Sequence, residues 1–203
     1  MPRAAGATRK RIMESAYRLF HRHGFARVAI DEIAAAAGVT KRSLYYHFRS
    51  KDDLLAVVLE EQHQLALASF RTWIDRISGS PEAMVEQMFA ELESWTAERR
   101  FSGSGFTRVA IELADVPGHP GRAIARRHKQ MVEAYIAELF AKAGIASPRE
   151  RAREIYTLLE GATALILVHG DRGYAKAGAQ AARMLIGQGP KPRPAPRRRA
   201  KRS

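Results

Sequence analysis

Apolar residues recur at helical spacing along almost all of this chain, with little of the strict alternation that marks a strand. Thr8 to Gly24 carries Ile12, Ala16, Leu19 and Phe20 on one face and stops at a glycine, after which Phe25 supplies a second core plug. Ile30, Ile33, Ala34 and Ala37 give a short helix one apolar stripe and leave Asp31, Glu32 and Ala35 outside. Gly38 ends that helix, Val39 fills the corner, and the Thr40 hydroxyl is placed to cap a second short helix. There Leu44 and Phe48 form an i, i+4 apolar pair that anchors it from behind. Ser50 is set to cap the helix that opens at Lys51, with Asp53 answering as in a capping box. Further on, Ser80-Pro81 and Ser147-Pro148 place a hydroxyl before a proline at the first helical position, and Ser147 to Glu150 completes a capping box. Pro120 opens a helix that stops at Gly144. The pattern predicts helices over 8–23, 30–37, 41–47, 51–77, 81–99, 106–114, 120–143, 148–169 and 173–187: nine helices, no sheet, an all-α fold.

The chemistry is concentrated on the second short helix. Once Leu44 and Phe48 are turned inward, Lys41, Arg42, Ser43, Tyr45, Tyr46 and His47 form the front of an element barely two turns long. Such a helix fits a DNA major groove about 12 Å wide. The same outline also describes an ordinary αα-hairpin of a helical bundle. The flanking helices favour the first reading, because they complete a three-helix unit with a connecting helix behind it.

Leu19-Phe20, Gly24-Phe25, Ile33-Ala34, Ala37-Gly38-Val39-Thr40-Lys41, Leu44-Tyr45-Tyr46-His47-Phe48, Lys51 and Leu54 together give a specific pattern over about a quarter of the chain. In these residues the chain resembles the N-terminal domain of the TetR family of transcriptional regulators. The resemblance implies DNA contacts at Thr40, Lys41, Arg42, Ser43, Tyr45, Tyr46, His47 and Lys51, with Leu44 and Phe48 in the core. Two positions depart from the family pattern. Val28-Ala29 stands where a Ser or Thr usually caps the first helix of the motif, a cap worth roughly 1 kcal/mol, which Asp31 and Glu32 partly replace through the helix dipole. Arg42 stands where many relatives carry a small residue, and its guanidinium suits either a guanine O6/N7 edge or a phosphate. Tyr45, Tyr46, His47 and Lys51 suit phosphate contacts, Lys51 above all because it opens a helix.

Charge sharpens this division. Residues 1–51 hold eleven Lys and Arg against three acids, residues 52–188 hold sixteen against eighteen, and residues 189–203 hold seven against none, within a net charge of +13. The excess coincides with the reading helix, as expected where a small N-terminal domain faces a polyanion. The organisation that follows is a helix-turn-helix DNA-binding domain over 1–50, a helical effector-binding and dimerisation domain over 51–188, and a disordered basic tail over 189–203. That tail, GPKPRPAPRRRAKRS, is either a source of sequence-blind phosphate contacts or a solubilising end.

The absence of cysteine excludes disulfides, thiolate chemistry and Cys metal sites. Residues 1–11 lack an apolar signal core, and the apolar run around Ala162 to Val168 is too short to span a bilayer, so a cytoplasmic, nucleoid-associated protein is expected, with no membrane partner. Gly103-Ser104-Gly105 lacks the spacing and strand of a nucleophile elbow, no P-loop or G-x-G-x-x-G is present, and His21 and His23 point in different directions on their helix. No catalytic residue, metal or cofactor is expected.

In 149–169 the apolar set is broad, and in 173–187 small residues allow close helix approach. Ile155, Leu159, Ala162, Leu165, Ile166, Gly178, Ala181 and Ala182 therefore suit either the protomer's own core or a two-fold interface. The family resemblance implies the second, a homodimer paired through its last two helices and bound to a near-palindromic operator, with effector binding releasing it as the connecting helix swings. If the likeness extends to the middle helices, Trp73, Met88, Phe89, Leu92, Trp95, Phe106, Val109, Met131 and Tyr135 line a pocket for a small hydrophobic effector. His128, His169 and Glu112 are candidates for its polar contacts; the same residues also suit an ordinary core and surface. A repressor is the reading adopted. An activator of the same fold, a sequence-blind architectural DNA binder and a module for acidic lipid headgroups are the alternatives.

Overall fold

A computed structural model describes residues 2–99 and 101–187, and the basic tail 189–203 falls outside the described residues. Nine helices account for the described secondary structure: α1 Pro2–His23, α2 Ile30–Ala36, α3 Lys41–His47, α4 Lys51–Ile74, α5 Pro81–Thr96, α6 Gly105–Glu112, α7 Pro120–Lys142, α8 Pro148–His169 and α9 Gly173–Gly187. The predicted order is reproduced element by element. Six residues are added at the start of α1, and one to three are trimmed at the ends of most others.

Most of the starts have the physical cause read from the sequence. Thr40 Oγ1 accepts from the Ser43 N–H at 3.1 Å, Ser50 Oγ from the Asp53 N–H at 3.0 Å, and Ser80 Oγ from the Ala83 N–H at 3.3 Å. Two caps differ from expectation. Ser147 sits in the left-handed region at φ 51° and its hydroxyl caps nothing, so the predicted capping box at Ser147 to Glu150 does not form. Asp53 does answer across the start of α4, but its carboxylate accepts from the N–H of Arg49 rather than that of Ser50.

The α1–α3 unit packs its stripes around Ile12, Ala16, Ile33, Leu44 and Phe48, all essentially without exposure, and this core runs on into Leu54, Leu55 and Val58 of α4 and Phe106 and Val109 of α6. A second core lies between α4, α5, α7, α8 and α9, centred on Met88, Phe89, Ile136, Phe140 and Ile155. Helix α4 belongs to both. Its first turns support the three-helix unit and its last turns reach Trp73 in the second core, so one continuous helix joins them.

The α8 and α9 stripes split once packed. Ile155, Ala162 and Ile166 on α8, and Gly178 and Ala182 on α9, are buried inside the protomer. Gly178 lies so close to the Phe89 ring that a Cβ there would meet it at 2.4 Å. These five residues are core, which corrects their assignment to a subunit interface: the apolar set merged two faces of each helix. Leu159 and Ala181 are half-buried, and Leu165 remains exposed.

Candidate nucleic-acid interface and effector cavity

Helix α3 stands clear of the body with Leu44 and Phe48 buried beneath it. Arg42 is exposed and has no hydrogen bond or ion pair with any described residue. Tyr46 is 83% exposed and Tyr45 is 45% exposed. The His47 ring packs edge-on against Tyr46 at 5.2 Å, and Ser43 is half-buried. Lys41 pairs with Asp31 of α2 at 3.0 Å, an exposed contact that holds the two helices in register and is weak enough to be exchanged for a phosphate. The Thr40 hydroxyl already serves as the helix cap.

Lys51 differs most from its expected role. Its ammonium turns inward, donates to the carbonyls of Phe25 and Val28 at 3.0 and 3.1 Å, and lies 4.4 Å from the centre of the Phe25 ring. Two of its three donors thus tie α4 to the turn between α1 and α2. The Ala29 N–H at the start of α2 donates to the Glu32 carboxylate at 2.7 Å, so half of a capping box survives without a capping hydroxyl. Beside α4, the Arg49 backbone N–H and then its guanidinium hold the Asp53 carboxyl below its ordinary range.

The same turn is gripped from the other side by α6. The Arg108 guanidinium donates to Glu112 Oε1 at 2.9 Å and to the His21 carbonyl at 3.1 Å, while Glu112 Oε2 accepts from the Ala26 N–H at 3.1 Å. Gly24, at φ 85°, lies against this pair: a Cβ would meet Glu112 at 2.6 Å and Arg108 at 2.8 Å. A residue without Cβ is needed there twice over, for the left-handed backbone and for the approach of α6.

Behind α6 a cavity of about 620 Å³ opens between α1, α4, α5, α7 and α8. Of the nine expected lining residues, Trp73, Met88, Leu92, Trp95, Phe106 and Val109 face it. Phe89, Met131 and Tyr135 do not. Phe89 is spent on Gly178, Tyr135 stacks on Phe70 at 6.3 Å with the Arg71 guanidinium over its ring, and Met131 packs against the second core. His128 and Glu112 are on the wall, and His169 instead stacks on Tyr174.

The helical pattern did not single out the polar floor of this cavity. Lys129 Nζ contacts Glu160 at 2.6 Å and the Ser104 hydroxyl at 3.0 Å, and Thr107 donates to the other Glu160 oxygen at 3.1 Å. Burial lowers the Lys129 pKa against the pull of Glu160, and burial raises that of Tyr156 beside the same carboxylate. Next to them His63 of α4 and His128 of α7 approach Nδ1 to Nδ1 at 3.2 Å, and Phe106 stacks on His128 with centroids 3.8 Å apart. Desolvation lowers both imidazoles, that of His128 to about 4. Both are therefore neutral at pH 7, and their contact requires one Nδ1–H donor and one bare Nδ1 acceptor. A signal was present in the sequence: His63 falls on the Leu59, Leu67 stripe and His128 on the Ile124, Val132 stripe, each at i, i+4.

Residues 12–58 match the family model of the bacterial regulatory proteins of the tetR family. The HTH-type transcriptional regulator TtgR of Pseudomonas putida is 40% identical over 60 residues, 30% of this chain and 29% of that protein. The HTH-type transcriptional repressor SCO4008 of Streptomyces coelicolor is 36% identical over 103 residues, 45% of this chain and 54% of that protein. The chain thus spans less than two thirds of the length of these curated relatives. Among solved structures, a putative TetR-type transcriptional regulator of Streptomyces avermitilis has a TM-score of 0.71 at 28% identity, covering 86% of this chain and 97% of its own. SCO4454 of Streptomyces coelicolor, a TetR-family transcriptional regulator, has a TM-score of 0.77 at 24% identity over 90% of this chain and 97% of its own, a likeness of fold. The helix-turn-helix region, residues 12–58, thus matches the tetR family in sequence, and the nine-helix architecture of the described residues is similar to that of TetR-family structures.

Proposed function

We propose that this chain is a sequence-specific, DNA-binding transcriptional regulator with no catalytic role. It acts as a homodimeric repressor that leaves its operator when a small, largely apolar ligand fills the cavity. The observation that carries the DNA reading is the outward face of α3, where Arg42 is unpaired among the described residues and Tyr46 is open to solvent, on a helix fixed from behind by Leu44 and Phe48. Arg42 and Ser43 suit base edges. Lys41, Tyr45, Tyr46 and His47 suit phosphates, and Lys51 contributes mainly by seating α4 under the α1–α2 turn.

The homodimer reading rests on what α8 and α9 leave outside. Leu165, Leu167 and Val168 of α8 and Met184 of α9 are 41, 50, 75 and 66% exposed, large apolar side chains turned to solvent on the two helices. Pairing these faces across a two-fold axis would present two copies of α3 to successive major grooves roughly 34–36 Å apart.

Effector coupling has two mechanical routes, both starting at the cavity wall. Helix α4 runs from the wall at Trp73 to the turn held by Lys51, and α6 reaches the same turn through Arg108 and Glu112. A ligand that binds better when these elements are displaced lowers the population of the DNA-competent state.

Selection of duplexes from a random pool by the full chain tests this reading. The expected product is an inverted repeat with its half-sites one helical turn apart. Enrichment of no sequence would reduce the chain to an architectural binder, and a single half-site bound at full affinity would remove the dimer.

A further inference from the structure

The charges on the cavity wall are unevenly neutralised. Apart from histidines, six charged side chains face the space: Arg108, Lys129, Glu91, Glu98, Glu112 and Glu160. Both cations are engaged, Arg108 with Glu112 at 2.9 Å and Lys129 with Glu160 at 2.6 Å. Glu91 and Glu98 have no ion pair with any described residue, so among the described residues the wall carries two uncompensated negative charges. Glu91 lies on α5 and Glu98 in the turn just past its end, with Trp95 of the last α5 turn between them in sequence. That indole is 37% exposed and is braced edge-on by Phe101 at 5.1 Å.

We infer that the cavity takes an amphiphilic organic cation, with its apolar body among Phe70, Trp73 and Phe106 and its positive charge at the mouth, over Trp95 and between Glu91 and Glu98. An aromatic face and a carboxylate attract such a charge for different reasons, the ring through its quadrupole and the carboxylate through its full charge. An anion meets the reverse situation. To reach a cation it must break either the Arg108–Glu112 pair, which also holds the α1–α2 turn, or the Lys129–Glu160 contact, and so leave a carboxylate uncompensated. The inference rests on the reading of this cavity as the effector site and specifies the ligand class.

Tetraphenylphosphonium and tetraphenylborate test it directly, since the two ions are nearly identical in shape and opposite in charge. The full chain has two tryptophans, Trp73 and Trp95, both on the cavity wall, so binding is read from their fluorescence and checked by calorimetry. The phosphonium is expected to bind at least about tenfold more tightly than the borate, with a preference that shrinks at high salt because the carboxylates are exposed. The double variant Glu91→Gln, Glu98→Gln, which removes charge from two exposed positions, is expected to lose most of that preference with its thermal midpoint unchanged. Equal or tighter borate binding, no binding of either ion, or a double variant that keeps the full preference would each overturn the inference. DNA release by the same ions separates the two layers. Equal release by both ions keeps the effector reading and removes the cationic class. Charge-selective binding that leaves DNA bound keeps the cationic site and removes its effector role.

Discussion

Arg42 is the residue on which the proposed base reading turns. Its guanidinium meets no acid among the described residues, whereas Lys41 already leans on Asp31. Arg42→Ala is therefore expected to cost about 1–3 kcal/mol of binding at one position of each half-site and little elsewhere, measured by competition among single-base variants of the selected duplex. A uniform loss on every sequence would make Arg42 a phosphate contact. Single residues were also where the sequence was least legible. Lys51 opens a helix, and spacing alone cannot show that its side chain folds back onto the Phe25 and Val28 carbonyls. The spacing marked Gly24 as a helix stop. Its second requirement, contact with Arg108 and Glu112, comes from residues more than eighty positions away.

At the scale of elements the sequence was far more informative, because caps and stripes act within a few residues. The Thr40, Ser50 and Ser80 caps and all nine expected helices are present. The exception at Ser147 arises from a left-handed backbone that no spacing encodes. The residue at the N-cap of α2 is Ala29, whose φ of −84° and ψ of 152° already suit a capping residue. Ala29→Ser should therefore add a hydrogen bond without moving the backbone and stabilise the three-helix unit by about 1 kcal/mol in urea unfolding; no shift of the midpoint would mean that Glu32 already supplies all the capping the helix can use. The grip of α6 on the α1–α2 turn has its own signature. Glu112→Gln keeps the size of the side chain and weakens its hold on the Ala26 N–H, so hydrogen exchange across 24–28 is expected to quicken by about tenfold while α8 is unaffected. Unchanged exchange at that turn would show that α6 does not hold it.

The whole molecule is tied together where α4 crosses α7, and there sequence patterns were ambiguous. Helical stripes show which residues face inward, but they do not say whether an inward face meets another helix or an empty space. Phe89 and Trp73 look alike in the pattern, yet one packs on Gly178 and the other lines the cavity. The burial of His128 at this crossing makes stability depend on pH. The His128 pKa falls from 6.5 to about 4 on folding, so the unfolded chain binds more protons between those values. The contribution is intact above about pH 6.5 and is lost progressively as pH falls toward 4, up to roughly 3 kcal/mol. Unfolding free energies measured from pH 7.5 to 4.5 should show this slope, and His128→Asn should flatten it; equal slopes would place the acid sensitivity elsewhere.

In the proposed function α3 reads a particular sequence and does not simply hold a polyanion. Occupancy of the selected duplex by the full chain, followed by fluorescence anisotropy at physiological salt while unrelated duplex is added, tests it most directly. The operator is expected to stay bound through about a hundredfold excess of competitor, and Arg42→Ala to shorten that range. Displacement in simple proportion to the unrelated DNA added would contradict it.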